Sequence, residues 1–377
     1  MAHYHSIEEY REKKKKERRN RFIVGFGFLA LLILVFCSVF FLTKGDQKSG
    51  MSKDEAFPLL IRSEQLESIR SVRDDLVVLT KTGLYVYDTE GKQKYYTMHG
   101  CTNPVMYDNG QRFITFDRGG TSLRVDDAKE VCGELTAGHT LLCAQISNNN
   151  LIAAITTHDQ FASYLQVYDA DLNLKYRYGS ATESYSMAAF SPDQRHLAAC
   201  AITSKGGSFI AHVSVFNYTV EETARTYEIK DLLPLYMMYT GSDDLVIVGT
   251  DRIVSLNTNS GSVSESEYTG TLLTFACGDN GLTAVVTDNQ LNGAAAITMY
   301  QKDGKPSDTA GVDDTVIDVA VEDGRVLLLG KKFIYHYDTA LNLREEISLE
   351  SNAQGVTVAN NAMFLLGADS VFKYSIR

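Results

Sequence analysis

The chain has 377 residues, 44 % of them hydrophobic and none of them Trp, an apolar content that excludes a disordered chain and leaves room for one large domain or two ordinary ones. Its net charge of −11 hides two unlike parts: residues 1–48 carry 10 Lys+Arg and 5 Asp+Glu, and the remainder has a balance of −16. A body that acidic repels phosphate backbones, which excludes nucleic acid as its partner.

The first element is a basic tail, residues 1–21. Arg11, Lys13, Lys14, Lys15, Lys16, Arg18, Arg19 and Arg21 stand directly against Phe22–Leu42, a run of 21 residues without a charge. At about 1.5 Å per residue a helix of that length spans roughly 31 Å, the thickness of a bilayer core. It has no polar stripe, unlike a helix on the surface of a soluble domain. Only Lys44 and Lys48 follow the run closely, so the excess of positive charge predicts a cytoplasmic N-terminus and an exported remainder. The run is longer than a signal-peptide core and lacks a small-x-small cleavage site, and Phe36 before Cys37 does not fit a lipobox. Residues 22–43 are therefore expected to be an uncleaved signal anchor, single-pass, bound to the lipid bilayer through Phe22 to Leu42. Residues 44–55 follow as a linker, and 56–377 as one extracytoplasmic domain at the cell membrane.

That domain holds five cysteines, Cys101, Cys132, Cys143, Cys200 and Cys277. An odd number leaves at least one free thiol, and no CxxC occurs, so neither a metal knuckle nor a redox motif is indicated. Cys143, Cys200 and Cys277 lie in apolar runs as small buried hydrophobes. A Cys101–Cys132 disulfide stays open.

Two short signatures alternate along the domain. The first is a polar turn between apolar runs: SVRDDLVVL (71–79), MYDNGQRFITF (106–116), ISNNNLIAAI (146–155), FSPDQRHLAA (190–199), YTGSDDLVIV (239–248), ACGDNGLTAVV (276–286), AVEDGRVLLL (320–329) and VANNAMFLL (358–366). Asp, Asn and Gly stand where a tight hairpin needs positive φ or a local side-chain bond. The second is an alternating strand that ends in a polar turn, as in GLYVYDTEGK, YLQVYDADLN and FIYHYDTALN. Aligned on Asp88, Asp127, Asp169, Asn217, Asn257, Gln301, Asp338 and Ser375, its copies are 39, 42, 48, 40, 44, 37 and 37 residues apart. A period of about 40 is what a four-stranded propeller blade requires. The expected fold is all-β, an eight-bladed β-propeller preceded by one transmembrane helix, with seven blades as the fallback. The last copy ends after its third strand, so AFPLLI (56–61) is expected to supply the missing outer strand and close the ring. Pro58 is acceptable on such an outermost strand.

FSPDQRHLAA resembles the FSPDGxxLA motif of WD40-like and TolB-like propeller repeats, and YVYDTEGK and MYQKDGK resemble strand-end turns of quinoprotein-like propellers. The Trp-Asp and Gly-His signatures of true WD40 repeats are missing, and without Trp the quinoprotein cofactor is not implied. Basic tail, membrane helix and propeller together resemble an uncharacterised family of bacterial, clostridial-type single-pass membrane proteins. That resemblance implies the architecture and no activity.

No zinc spacing, EF-hand, GxSxG elbow, Walker A loop or strand-borne GxGxxG is present. The paired Asp residues sit in turns, where the backbone favours them. Neither a catalytic residue, a metal nor a cofactor is therefore assigned. Propellers commonly bind ligands at a channel mouth, and the loops between second and third strands contribute Lys81, Arg118, His158, Asp159, Lys205, Asp288, Asn289 and Lys331. Such a ring would suit a peptide, a glycan or a small polar ligand, although loops are polar wherever they meet water. The expected role is an interaction or scaffold module for an envelope protein or glycan. A ligand-sensing receptor domain is the alternative, and an envelope glycan hydrolase or lyase comes third.

Overall fold

The computed structural model describes residues 14–16, 52–53, 57, 59–61, 64–220, 224–278, 280–289, 294–322, 324–349, 352–359 and 362–375. Apart from Lys14–Lys16, the basic tail lies outside them, as do the Phe22–Leu42 span and the linker up to residue 51. Among the described residues no helix is long and apolar enough to cross a membrane. The chain divides into two units, 1–50 and 51–377, and the second is a propeller.

The two signatures form the skeleton of every blade. Blade 1 consists of Leu66–Val72, Asp75–Thr80, Gly83–Tyr87 and Gln93–Met98, each hydrogen-bonded antiparallel to the next. Six more four-stranded sheets repeat this order over 104–136, 141–180, 185–230, 234–267, 271–312 and 316–348, and an eighth sheet ends the chain. First strands of neighbouring blades touch, including that of blade 8 with that of blade 1, so the first strands surround the axis. Eight blades replace the fallback of seven.

Position within the blade explains composition. A second strand is covered on both faces by the neighbouring blades, so it reads as a continuous apolar run: Asp75–Thr80, Phe113–Asp117 and Ile152–Thr156 are buried throughout. A fourth strand meets solvent on one side and alternates, as Gln93–Met98 and Leu343–Ser348 do. The polar turn of the first signature joins first to second strand at one end of the blade. The turns between second and third strands lie at the other end, so the propeller has a hairpin face and an opposite face.

The second signature ends in a turn that its Asp caps. The carboxylate of Asp169 accepts the Asp171 and Asn173 amides, and that of Asp338 accepts the Ala340 and Asn342 amides. The Lys175 side chain first, then the Asn173 amide, lower Asp169 to about 2. For Asp338, the side chain and amide of Asn342 do the same. These caps hold Leu172 (φ 63°) and Leu341 (φ 55°) in the left-handed region where Gly91 (φ 83°) stands in blade 1.

Ring closure follows the expectation and extends it. Leu59–Leu60 pairs with Val371 and Ser370 on the third strand of blade 8, Ser370–Ser375. Ser52–Lys53, inside the stretch read as linker, pairs with Ser375 and Tyr374 on the same edge. Phe57 and Ile61 are buried with Phe364 and Val371 of blade 8 and with Leu66, Ile69 and Val78 of blade 1. The Phe57 and Phe364 rings meet edge to face at 5.9 Å, and Lys373 Nζ lies 5.6 Å from the Phe57 ring. Residues 51–377 thus form one unit closed on itself.

Six first strands begin with a bulge, where one extra residue lies between Leu66 and Ser68, Leu141 and Cys143, Tyr185 and Met187, Pro234 and Tyr236, Leu272 and Thr274, and Val316 and Asp318. Cys101 and Cys132 are both free thiols, the first beside Ser122 Oγ and the second beside the Glu130 carbonyl. This answers the disulfide question in the negative. Phe57→Ala should cost about 3 kcal/mol, because it empties the contact that joins blade 8 to blade 1. Thermal and urea unfolding of residues 51–377 measure the loss, and an unchanged midpoint would contradict the role given to Phe57.

Candidate functional site

The hairpin face carries a cavity of about 570 Å³, lined by the turns of blades 2, 3, 4 and 6 and by the first strands of blades 3 to 6. The turn residues of the first signature build its rim by bonding from blade to blade. The Arg73 amide donates to the Gly110 carbonyl (2.7 Å). Asn109 Nδ2 donates to the Ser147 carbonyl (2.7 Å) and to Asn150 Oδ1 (2.9 Å). Asn149 Nδ2 reaches Gln194 Oε1 at 3.3 Å, Ser191 Oγ the Ser242 carbonyl at 2.8 Å, and Thr240 Oγ1 the Lys302 carbonyl at 2.8 Å. These bonds tie six consecutive blades together. The sequence showed these residues as turn formers and gave no sign that neighbouring turns would bond.

Within FSPDQRH, the motif that carried the family resemblance, Asp193 is a turn cap. Burial alone would raise its carboxyl. Hydrogen bonds from the Arg195 amide, and from the ring and amide of His196, hold it below the usual carboxylate range. Gln194 takes φ 59° in place of the Gly of the usual motif.

The cavity wall is neutral and amphipathic. Phe190, Tyr236, Met238 and Tyr239 supply apolar and aromatic surface, and Gln145, Asn148 and Gln194 supply carboxamides. Asp108 is the one carboxylate among its described lining residues, with Arg70 Nε 3.8 Å away on blade 1. Burial pushes the Cys277 thiol up to about 12, far from thiolate chemistry. Among the described lining residues there is no histidine and no second carboxylate, and those residues offer stacking and hydrogen bonding.

The eight residues expected at a channel mouth occupy the opposite face, and none of them lines this cavity. Lys81, Arg118, Lys205 and Lys331 are exposed on separate blades, and Asp288 is half-buried. The backbone of Asn289 pairs with Ala294 at the end of blade 6's second strand. Only His158 and Asp159 come together, on blade 3. The His158 ring lies 4.8 Å from that of His139, 5.0 Å from Phe161 and 4.9 Å from Tyr164. Asp159 Oδ1 is 3.9 Å from His139 Nδ1. Among the described residues no three His, Cys, Asp or Glu side chains are placed to hold a metal ion.

A family model covers residues 59–373, the whole ring except its first edge strand and last residues. The chain belongs to the family of unknown function DUF5711. No curated protein matches the sequence. Among solved structures it is similar to BamB from Moraxella catarrhalis, at 12 % identity and a TM-score of 0.54, with 87 % of this chain and 98 % of that one covered. The Dos1 propeller gives 12 % identity and a TM-score of 0.60 over 88 % and 96 % of the two chains. Apo AztD from Citrobacter koseri gives 14 % and 0.53 over 76 % and 86 %. At such identities the likeness concerns the propeller fold alone.

Asp318, half-buried on the first strand of blade 7, accepts the Val356 amide of blade 8 at 3.0 Å. Burial raises its pKa above the ordinary value, against the opposing effects of the Val356 and Val319 amides and the Arg70 charge. An unfolded Asp titrates near ~3.9. Between that value and the raised folded one the native state holds more proton, so stability falls as pH rises through the window. Asp318→Asn keeps an acceptor for Val356 and carries no charge. It should raise the Tm at pH 7 and lose that advantage below about pH 4, as read from thermal unfolding across the range; an equal shift at every pH would contradict this account.

Proposed function

We propose that this protein is a single-pass membrane protein whose extracytoplasmic propeller is a non-catalytic binding platform for an envelope protein or glycan. The observation that carries the reading is the chemistry of the hairpin-face cavity: carboxamides and aromatic rings on a stitched, closed ring, with one carboxylate and no histidine among the described lining residues. Such a wall suits the recognition of neutral polar chains, and no acid–base pair stands among those described residues. The uncharged 21-residue run and the eight basic residues before it support the anchor and the outward orientation. The acidity of the remainder suits a body kept apart from anionic lipid.

A ligand-sensing role is the second reading, and the cavity favours it in one respect. About 570 Å³ lies within the range of small-molecule sites. A glycan or peptide library screened by thermal shift on residues 51–377 separates the two. A stabilising small ligand supports sensing, and a stabilising oligosaccharide or extended peptide supports the platform.

Orientation is tested through Cys132, the exposed thiol among the five free ones. A membrane-impermeant maleimide should label intact cells, and Cys132→Ser should abolish most of the label. Labelling that requires permeabilised cells would overturn the extracytoplasmic reading. Affinity capture of the full chain from cross-linked envelopes should return the same partner in repeated preparations; nothing beyond control levels would count against the platform.

A further inference from the structure

The face opposite the hairpin turns carries a continuous apolar arc over blades 4 to 7. Of the fifteen large hydrophobic side chains exposed among the described residues, six lie here: Ile202, Phe209, Leu233, Leu235, Leu273 and Ile317. The others sit on outermost strands around the circumference or on a turn of the hairpin face. Scattered exposed hydrophobes are ordinary; six on consecutive blades of one face are a patch.

Two local devices create it. The first is the bulge. An extra residue in a first strand has no partner in the second and is left unpaired at the mouth. Blades 1 and 4 put Glu67 and Ser186 there and blade 3 the half-buried Leu142, but blades 5, 6 and 7 put Leu235, Leu273 and Ile317, all more than a third exposed.

The second is a projecting hairpin. In blade 4 the second and third strands, His196–Lys205 and Ser208–Asn217, have ten residues each. The pairing runs to Lys205 and Ser208, across Gly206 (φ 65°) and Gly207 (φ 90°), whose positive φ values make a two-residue hairpin turn. The first strand stops pairing at Ala201, so the four residues 202–205, roughly 13 Å, stand clear of it. Ile202 is paired with Ala211, and Ser204 with Phe209, so Ile202 and Phe209 share the face of Ala211. That face is the one turned to blade 5, since Ala211 packs in the core with Leu232 and Ile247. The Asp231 amide donates to the Phe209 carbonyl at 2.7 Å and fixes the hairpin beside Leu233. Phe209 is 60 % exposed, and next along the arc from blade 4 a groove of about 460 Å³ lies between blades 5 and 6. Leu235, Leu272, Leu273 and Phe275 give the groove apolar walls.

The charge around the groove selects its occupant. On the turns of blades 5 and 6 at this face stand Asp231 and Asp251, exposed, and Asp288, half-buried. Buried Arg252 is paired with Asp251 (2.9 Å) and Glu265 (2.7 Å), exposed Lys205 lies 3.9 Å from Glu228, and exposed Lys230 is outnumbered by Asp231, Asp288 and exposed Glu267. An apolar groove in an acidic surround repels an anionic lipid face and attracts positive charge.

We propose that this arc docks a cationic amphipathic segment of a partner protein, its apolar side chains in the groove between blades 5 and 6 and its Lys or Arg side chains against Asp231 and Asp251. The inference rests on the platform reading and names the face and the chemistry of the partner.

The test uses fluorescent amphipathic peptides of Leu and Lys, their Leu and Glu counterparts, and anionic vesicles, each titrated into residues 51–377. The Leu/Lys peptide should bind, and more weakly as salt rises. Phe209→Ser with Leu235→Ser should weaken it at least tenfold without lowering the Tm, since both side chains are exposed. Asp231→Asn with Asp251→Asn should weaken it several-fold at low salt, Asn being compatible with the positive φ at residue 231 (52°). Equal affinity for the Leu/Glu peptide, binding unmoved by the Phe209/Leu235 pair, or stronger binding to vesicles than to peptide would overturn the proposal. Capture of the envelope partner by the full chain carrying Phe209→Ser and Leu235→Ser, undiminished from wild type, would likewise remove the arc and leave the platform standing. Capture of no partner by the wild type would remove the platform itself.

Discussion

Every feature of this propeller depends on how its last blade is completed. A ring of twisted sheets holds its radius only if the final sheet packs on the first, and blade 8 reaches its C-terminal strand one strand short. The N-terminal edge supplies what is missing. Leu59–Leu60 and Ser52–Lys53 satisfy the edge of Ser370–Ser375, and Phe57 and Ile61 fill the seam between blades 8 and 1. Residues over 300 positions apart are thereby joined. Until they meet, the cavity, the rim bonds and the arc have no fixed circumference.

Given that closure, the two faces divide their chemistry. On the hairpin face the turn residues spend their polar atoms on one another, from Arg73 to Lys302, leaving a neutral amphipathic cavity inside a stiff rim. On the opposite face Gly119 and Gly120 bond to Leu141 of the next blade, and Arg252 donates to the Lys230 and Asp231 carbonyls. Bulges and one overlong hairpin push aliphatic and aromatic groups into water among carboxylates. Exposure of that kind carries a solubility cost that native surfaces avoid unless something covers it. One fold thus presents a polar pocket and an apolar dock at opposite ends of one axis.

The arc also shows why a repeat is a poor guide to function. The bulge recurs in six blades, but its side chain is a carboxylate in blade 1, a hydroxyl in blade 4 and aliphatic in blade 3 and in blades 5 to 7. The backbone device is common to the fold; the chemistry belongs to the individual blade. Similarly, Asp193, Asp169 and Asp338, which stand out as recurring carboxylates, are held by the turns they cap.

Strand positions, the eightfold count, the role of 56–61 and the polar nature of the turns were legible in the sequence. Each rests on a local rule: period-two alternation, turn chemistry and the need to pair an edge. The sequence alone also supplies the expectation of an anchored, exported domain, since charge asymmetry about an apolar run needs no fold. Which groups meet was a different matter. The eight residues expected at a mouth lie dispersed on one face, with only His158 and Asp159 adjacent, while the cavity opens on the other. Linear order does not say which mouth is walled, that Asn109 bonds to the next blade's Ser147, or that Asn149 bonds to Gln194. Those contacts join residues a blade apart, about 40 positions along the chain, and depend on the radius and twist that only the closed ring sets.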